Sequence, residues 1–462
     1  MQRLLIEAAV AGGRQVAMLF TGASGSFFAE VDADASRLGI SAFAFETAVD
    51  VEALRNSTPA LGHRRSMREL SVTLVLPLTL LRKTAVRHRL LQARRLVAAR
   101  QLLADIRASA LVCSEDGISA ELAIITGARQ LGIPIIDVPF GFGSIYEIEA
   151  NLARKEEDGT LILPIGRNAV LMRRVAPQWV KQGRFAGAVM FPPELILAME
   201  SLGITLRDAW IIHGGLSDIL CVDTKVGLRQ YLREGIPTQK LRETGSPYCD
   251  VMVRALADDL AATAALRAPK RIEREVTRIL VSWPASYHAT YPGKNEFPTY
   301  EEMTRAVFSM MSALPDCRVT VSLHPACSED TAVMLRDLGV HLATDYLLEL
   351  IPRHDVFVTY FSSTIRWALA AGKPVVNYDA YALGLKTFDE APGFINAATF
   401  ADFKSKLTEL VSSEAEFARV AAAQIEVADD WGILDGKCTE RIFAEIDRLV
   451  AARTPRRKGA PP

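Results

Sequence analysis

Six cysteines, seven histidines and an aromatic content of 7% are thinly spread over 462 residues. None of Cys113, Cys221, Cys249, Cys317, Cys327 and Cys438 belongs to a CxxC pair, which removes zinc ribbons and dithiol redox centres from consideration. Cys113, Cys221 and Cys317 fall in or beside strand-like segments, as reduced core thiols of a cytosolic protein do. No metal site is expected. Charge of one sign is also lacking: 53 Lys and Arg face 54 Asp and Glu. A nucleic-acid binder needs a basic excess, so that class is excluded. No apolar run approaches the roughly 18–20 residues that span a bilayer, and the segment Met1-Gln-Arg-Leu-Leu-Ile-Glu7 is too short and too charged for a signal peptide. GxGxxG and P-loop patterns are absent as well. Thr21-Gly22-Ala-Ser-Gly25-Ser26 is glycine-rich, but no lysine follows it.

What is present is half hydrophobic residues and a length sufficient for two or three domains with their own cores. Strand-like and helix-like segments alternate, which predicts an α/β protein with parallel sheets. In the first half, strands are expected at 15–21, 111–113, 135–138 and 220–222, with helices through 121–130 and 224–234. A charged, Ala-rich stretch at 255–275 lacks strand periodicity and reads as a linker. The pattern then restarts, with strands at 278–282, 318–323, 340–343, 355–359 and 374–377 and helices at 300–312, 329–338 and 362–371. Residues 399–452 read as wholly helical and 455–462 as a disordered tail. The expected domains are 1–254 and 276–430, the second followed by a helix at 431–454. Two such halves should enclose a ligand cleft.

The richest segment runs from Asp355 through Tyr378 as strand, turn, helix, turn, strand. Ser362, Ser363 and Thr364 are helix-opening residues, and Gly372 is a helix stop. A helix start at the carboxyl end of a parallel strand presents free N–H groups and positive dipole, a seat for a diphosphate. Upstream, His324 ends a strand and is held extended by Pro325. There its imidazole could neutralise a leaving phosphate.

Other strand ends in the first half carry candidate acids and bases. Glu115 and Asp116 precede Gly117, where they can act as a base or as a helix cap. Gly141-Phe-Gly143 follows a strand and has Asp137, Glu147 and Glu149 around it. His213-Gly214-Gly215-Leu-Ser217-Asp218 precedes another strand, which makes His213 a second catalytic candidate. Gly22, Gly25, Gly141 and Gly143 would let backbone approach a ligand. Thr244-Gly245-Ser246-Pro247 reads as a rigid hinge turn. Finally, 82–100 is a basic helix with Val86, Leu90, Ala93 and Val97 as its apolar stripe. It can pack on a sheet or rest on anionic lipid.

Phe361-Ser362-Ser363 with Gly372-Lys373-Pro374, and His324-Pro325 before them, resemble the nucleotide-binding half of GT-B glycosyltransferases. They are most similar to CDP-glycerol glycerophosphotransferase-like and capsule-polysaccharide transferases. Gly235-Ile-Pro237 and Thr244-Gly245-Ser246-Pro247 with Asp250 resemble the exit from the first domain in GT-B enzymes and hydrolysing UDP-sugar 2-epimerases. The resemblance implies two Rossmann-like domains facing a cleft, with C-terminal helices crossing back. It further implies that Ser362, Ser363, Thr364 and His324 hold the donor diphosphate. One departure is that Arg366 and Trp367 stand where the family often has an acid.

The resulting expectation is a metal-independent transferase without cofactor, acting in bacterial surface polysaccharide or glycoconjugate synthesis. Its partners would be a nucleotide-sugar donor and a saccharide or lipid-linked acceptor. His324, His213, Glu115 and Asp116 are the catalytic candidates. Such an enzyme would be cytoplasmic, with helix 82–100 able to touch the inner face of the membrane. The alternatives are a hydrolysing nucleotide-sugar 2-epimerase and a non-catalytic nucleotide-sugar-binding subunit. The epimerases carry Val-Glu-Ala-Gly and a paired acidic motif, where this chain has Val138-Pro139-Phe140-Gly141 and Arg366-Trp367.

Overall fold

A computed structural model describes residues 2–20, 25–45, 83–141, 145–255, 276–360, 362–384 and 386–453. The expectations for Gly22, Gly143, Phe361, the linker and the tail therefore lie outside the described residues, as do the side chains of Gly25 and Glu147. Strands β1 (Ala17–Phe20) and β2 (Ser41–Ala44) pair in parallel; helices α1 (Gln2–Ala11) and α2 (Gly25–Leu38) precede and link them. A long helix, α3 (Lys83–Asp105), leads to β3 (Leu111–Cys113), α4 (Leu122–Leu131), β4 (Ile135–Asp137) and α5 (Ile145–Glu157). Then come α6 (Arg167–Val175), α7 (Pro193–Glu200), β5 (Ile219–Val222), α8 (Lys225–Arg233) and β6 (Leu241–Glu243). Strands β3 to β6 form a sheet in sequence order, with β3, β4 and β5 parallel.

After α9 (Pro247–Arg254) follow β7 (Thr277–Trp283), α10 (Tyr300–Ser312), β8 (Cys317–Leu323), α11 (Glu329–Asp337) and β9 (His341–Leu342). Next come α12 (Leu347–Leu350), β10 (Val356–Thr359), α13 (Ile365–Ala370), β11 (Val375–Tyr378) and β12 (Phe394–Ala397). Helices α14 (Phe400–Ser412), α15 (Glu414–Trp431) and α16 (Cys438–Arg453) follow. Strands β7 to β12 form one parallel sheet in the order β12-β11-β10-β7-β8-β9. The reversal of order beside β7 marks a doubly wound sheet, whose ligands bind at the strands' carboxyl ends.

The chain divides into two compact units: Met1–Val222 with Gln230–Arg242 and Ile442–Pro462, and Asp223–Arg229 with Glu243–Arg441. Helix α16 thus begins in the second unit, while most of it belongs to the first. There Ile442 packs with Leu5, Ile136, Val138, Ile219 and Cys221.

Several sequence expectations shift. The run expected to be helical from 399 breaks at Ser413 and again from Gly432 to Lys437, and β2, β6 and β12 appear where no strand was expected. β6 is only Leu-Arg-Glu, too short to show alternation. Helix α3 does not bury its expected stripe: Val86 and Leu90 are 42% and 52% exposed, whereas Ala85, Leu96, Ala99 and Leu103 are buried. The buried face is the one that fits α4 and α7, and small alanines permit the close approach.

Candidate functional site

Within the first unit, the carboxyl ends of β3 and β4 and the loop before β5 bring four sequence-named groups together. Asp137 closes β4 and is completely buried. Its carboxylate accepts from His213 Nδ1 at 3.1 Å and from the Gly214 amide at 3.2 Å. His213 is 3% exposed, and its ring lies edge-on to Tyr231, 5.9 Å between centroids. With Nδ1 committed to Asp137, Nε2 is the nitrogen left for chemistry. Asp116, also fully buried, accepts the amides of Gly215 at 2.9 Å, Leu216 at 2.7 Å and Ser217 at 2.5 Å. Glu115 beside it is half-buried.

The electrostatics follow from this crowding of carboxylates. Burial pushes Asp137 up to about 6, against the opposing pull of His213. Burial works against the His213 imidazolium, yet the Asp137 charge and hydrogen bond, with Asp116 and Glu115 behind them, hold it above the usual imidazole value of 6.5. Glu115 is raised by burial, opposed by His213. The imidazolium–carboxylate pair therefore survives to higher pH than free imidazole would allow.

Two glycines let the strand ends close on this loop. A Cβ at Gly117 would fall on the Ile211 carbonyl oxygen, and Gly214, at φ +70°, would drive one into Ile236. Gly117→Ala is accordingly expected to displace the His213 loop and cost about 1–3 kcal/mol; a denaturant melt checks this. Lys240 has no sequence signal, since no spacing ties it to a loop 25 residues earlier. Its Nζ donates to the carbonyls of Gly214 at 3.0 Å and Gly215 at 3.2 Å.

The second unit presents another constellation at the carboxyl ends of β7, β8 and β10. His324 follows β8 and is exposed. Its Nδ1 accepts from the Ala326 amide at 3.1 Å. The neutral ring therefore carries its proton on Nε2, as an outward donor. Ser362, Ser363 and Thr364 follow β10, which pairs with β7, as does β8. All four residues thus lie at one edge of one sheet. Helix α13 starts only at Ile365 and is six residues long. Ser362 Oγ bonds Thr364 Oγ1 at 2.7 Å and accepts its amide at 3.2 Å, so this serine closes its own turn. Ser363 is exposed. Gly372 is left-handed at φ +68°, and the Lys373 amide bonds Ala368 O, so Gly-Lys-Pro is the turn from α13 into β11.

The loop after β7 adds a tyrosine cluster that no spacing signalled. Tyr300 and Tyr360 each donate to Pro284 O at 2.8 Å, and the Tyr381 hydroxyl lies 3.0 Å from His288 Nδ1. Tyr287 lies edge-on to Tyr381. Burial raises the hydroxyls of Tyr300, Tyr360 and Tyr381, which remain neutral donors.

The remaining sequence candidates lie outside these two groups. Gly245, at φ +73°, Ser246 and Pro247 form the entry to α9: Ser246 caps the helix and Pro247 is its first residue. A Cβ on Gly245 would strike Cys438 Sγ. Gly141 has open space around it. Glu149 pairs at 3.8 Å with Lys181. Arg366 is buried, 2.6 Å from Asp223 and 4.0 Å over the Trp367 ring: a core cation with its own counter-ion. Among the described residues, Asp250, Asp435 and Cys438 could supply three ligand atoms to a metal. Asp250, however, caps α16 through the Cys438 and Thr439 amides, and Asp435 pairs with Arg441. Nor is any helix among the described residues long and apolar enough to cross a membrane.

No family model matches this chain, and no curated protein matches it in sequence. Solved structures do match in fold. An MnaA–UDP co-structure from S. aureus is 14% identical, covers 97% of this chain and 93% of its own, and has a TM-score of 0.50. The calicheamicin glycosyltransferase CalG4 is 14% identical over 98% and 95%, with a TM-score of 0.50. A structure from Listeria monocytogenes assigned as a UDP-N-acetylglucosamine 2-epimerase is 11% identical over 98% and 93%, again with a TM-score of 0.50. The chain has the α/β fold of the GT-B class, with parallel sheets in both units.

Proposed function

We propose that this protein is a GT-B transferase that moves a group from a nucleotide-activated donor, a nucleotide sugar first of all, to a hydroxyl acceptor in surface polysaccharide or glycoconjugate synthesis. The observation that carries this reading is the buried Asp137–His213 pair, its carboxylate at the carboxyl end of β4 and its imidazole on the loop before β5. A hydroxyl attacking a glycosyl or phosphoryl centre must lose its proton. An imidazole oriented by a carboxylate through Nδ1 can take that proton on Nε2. Asp137 then stabilises the imidazolium that forms. In the second unit, the Ser362 and Ser363 hydroxyls, Thr364 and the Nε2–H of His324 are assigned to the donor diphosphate, where negative charge grows as the nucleotide leaves.

A second reading, a hydrolysing 2-epimerase, gains support from Glu115. Its raised carboxyl beside His213 supplies an acid next to a base, which proton exchange at a sugar carbon needs.

The test is calorimetric titration of UDP-, CDP- and GDP-linked donors, with mass spectrometry of the products when acceptor sugars or glycerol derivatives are added. Transfer yields a heavier acceptor and a free nucleotide; epimerisation changes the sugar without an acceptor. Binding of no donor would defeat both readings. Ser362→Ala combined with Ser363→Ala is expected to weaken donor binding more than about tenfold, since hydrogen bonds to charged groups contribute about 1.5–3 kcal/mol each. An unchanged dissociation constant would leave these serines as turn residues only.

A further inference from the structure

We propose that Asp116 and Lys240 form a charged clamp that positions His213, by gripping opposite polar groups of the loop that carries it. This inference rests on His213 as the base of the proposed reaction for its functional meaning, but not for its geometry.

The loop from Ile211 to Ser217 has no regular structure of its own to fix it. Its amides at Gly215, Leu216 and Ser217 all converge on one fully buried carboxylate, Asp116. The Asp116 amide in turn donates to Ile212 O at 3.3 Å. From the other polarity, Lys240 Nζ takes the carbonyls of Gly214 and Gly215. Gly215 is thus held through its N–H by an anion and through its C=O by a cation. A full charge is used on each side where neutral partners would satisfy the same backbone groups. Charge-assisted bonds are about twice as strong as neutral ones and shorter, so the loop is held far more tightly than a capped turn. The residue that benefits is His213, one position before the clamped stretch, whose bond to Asp137 depends on where the loop places its ring. Gly117 and Gly214 supply the matching close approach.

In this arrangement Asp116 is a positioning residue rather than a proton carrier, because its oxygens are occupied by three amides and it has no exposed surface. The charged and titratable groups acting on His213 are Asp137 from β4, Asp116 and Glu115 from the turn after β3, and the Tyr231 ring from α8. Those acting on Lys240 are Asp116, Arg207, Arg129 and Asp218.

The test is a pH titration of the full-length protein labelled with 15N-histidine, following the downfield Nδ1–H resonance of His213. Assignment comes from its disappearance in His213→Gln. In Asp116→Asn the midpoint of His213 is expected to fall by about one pH unit, and the Nδ1–H resonance to broaden by exchange. Lys240→Met separates position from charge. Deleting a nearby cation would by itself raise the His213 midpoint, whereas releasing the loop weakens the bond to Asp137 and lowers it. A lowered midpoint with a broadened resonance, in a variant that melts cooperatively, is the expected result. A folded Lys240→Met protein whose resonance matches the wild type, with its midpoint unchanged or raised, would overturn the clamp. Should Asp116→Asn fail to fold, Lys240→Met decides alone. Normal turnover in His213→Gln would remove the catalytic reading of His213, and the spectra would still decide the clamp.

Discussion

Replacing His213 with glutamine is expected to lower turnover by about 10²–10⁴-fold, the usual contribution of a positioned general base. Glutamine keeps a donor for Asp137 and a similar volume, so the folded protein should persist and its melting midpoint can be measured on the same sample. The pH profile gives a sharper check. A base works as neutral imidazole, and the Asp137 carboxylate holds the His213 proton more tightly than usual. Activity should therefore rise with pH through a midpoint above 6.5, the imidazole reference value, and then level. Asp137→Asn removes the charge that sustains the proton. The rising limb should move to lower pH, while the plateau falls because the imidazolium formed during reaction loses its counter-ion. A profile with no acidic limb, or a plateau unchanged in His213→Gln, would make the pair a structural ion pair.

The second large effect is on stability. Arg366→Ala is expected to cost about 3–5 kcal/mol, the typical result of stripping one partner from a buried ion pair. Arg366 is 1% and Asp223 2% exposed, with 2.6 Å between their charged atoms. Alanine would leave a buried carboxylate with no cation and would also remove the guanidinium from the face of Trp367. For a unit of this size each kcal/mol shifts the midpoint by about 2–4 °C, so a fall of roughly 6–20 °C is expected. Asp223→Leu combined with Arg366→Met should recover most of it, since well-packed apolar residues replace buried pairs at little cost. If Arg366→Ala melts with the wild type, the pair contributes nothing and another partner holds Asp223.

The class of fold and the places where chemistry could lie are legible in the amino-acid order alone. Alternating β-branched runs and helical stretches mark βαβ units because a parallel strand needs a crossover, and the crossover here is a helix. That local rule is enough to locate β7, β8, β10 and β11 within a residue or two. It is also enough to put His324 and Ser362 at strand carboxyl ends, since a turn follows each strand in the chain. His213, Asp137, Glu115 and Asp116 were legible one at a time for the same reason.

Which of these groups meet, and how deeply each is buried, follows from packing between distant segments. Asp137 and His213 are separated by 76 positions, and no local pattern tells which carboxylate meets the imidazole. Sheet order settles it by laying β4 between β3 and β5. The same order buries Asp116 under three amides and leaves Glu115 partly open, although the two are neighbours with nearly the same chemistry. Arg366 is a charge within an apolar helix, and it is paired by Asp223, brought to it from 143 positions away. Lys240 carries no signal at all in a sequence with 53 basic residues. A charge acquires a role from the groups that desolvate and pair it, and those are chosen by packing between distant segments, which periodicity cannot encode.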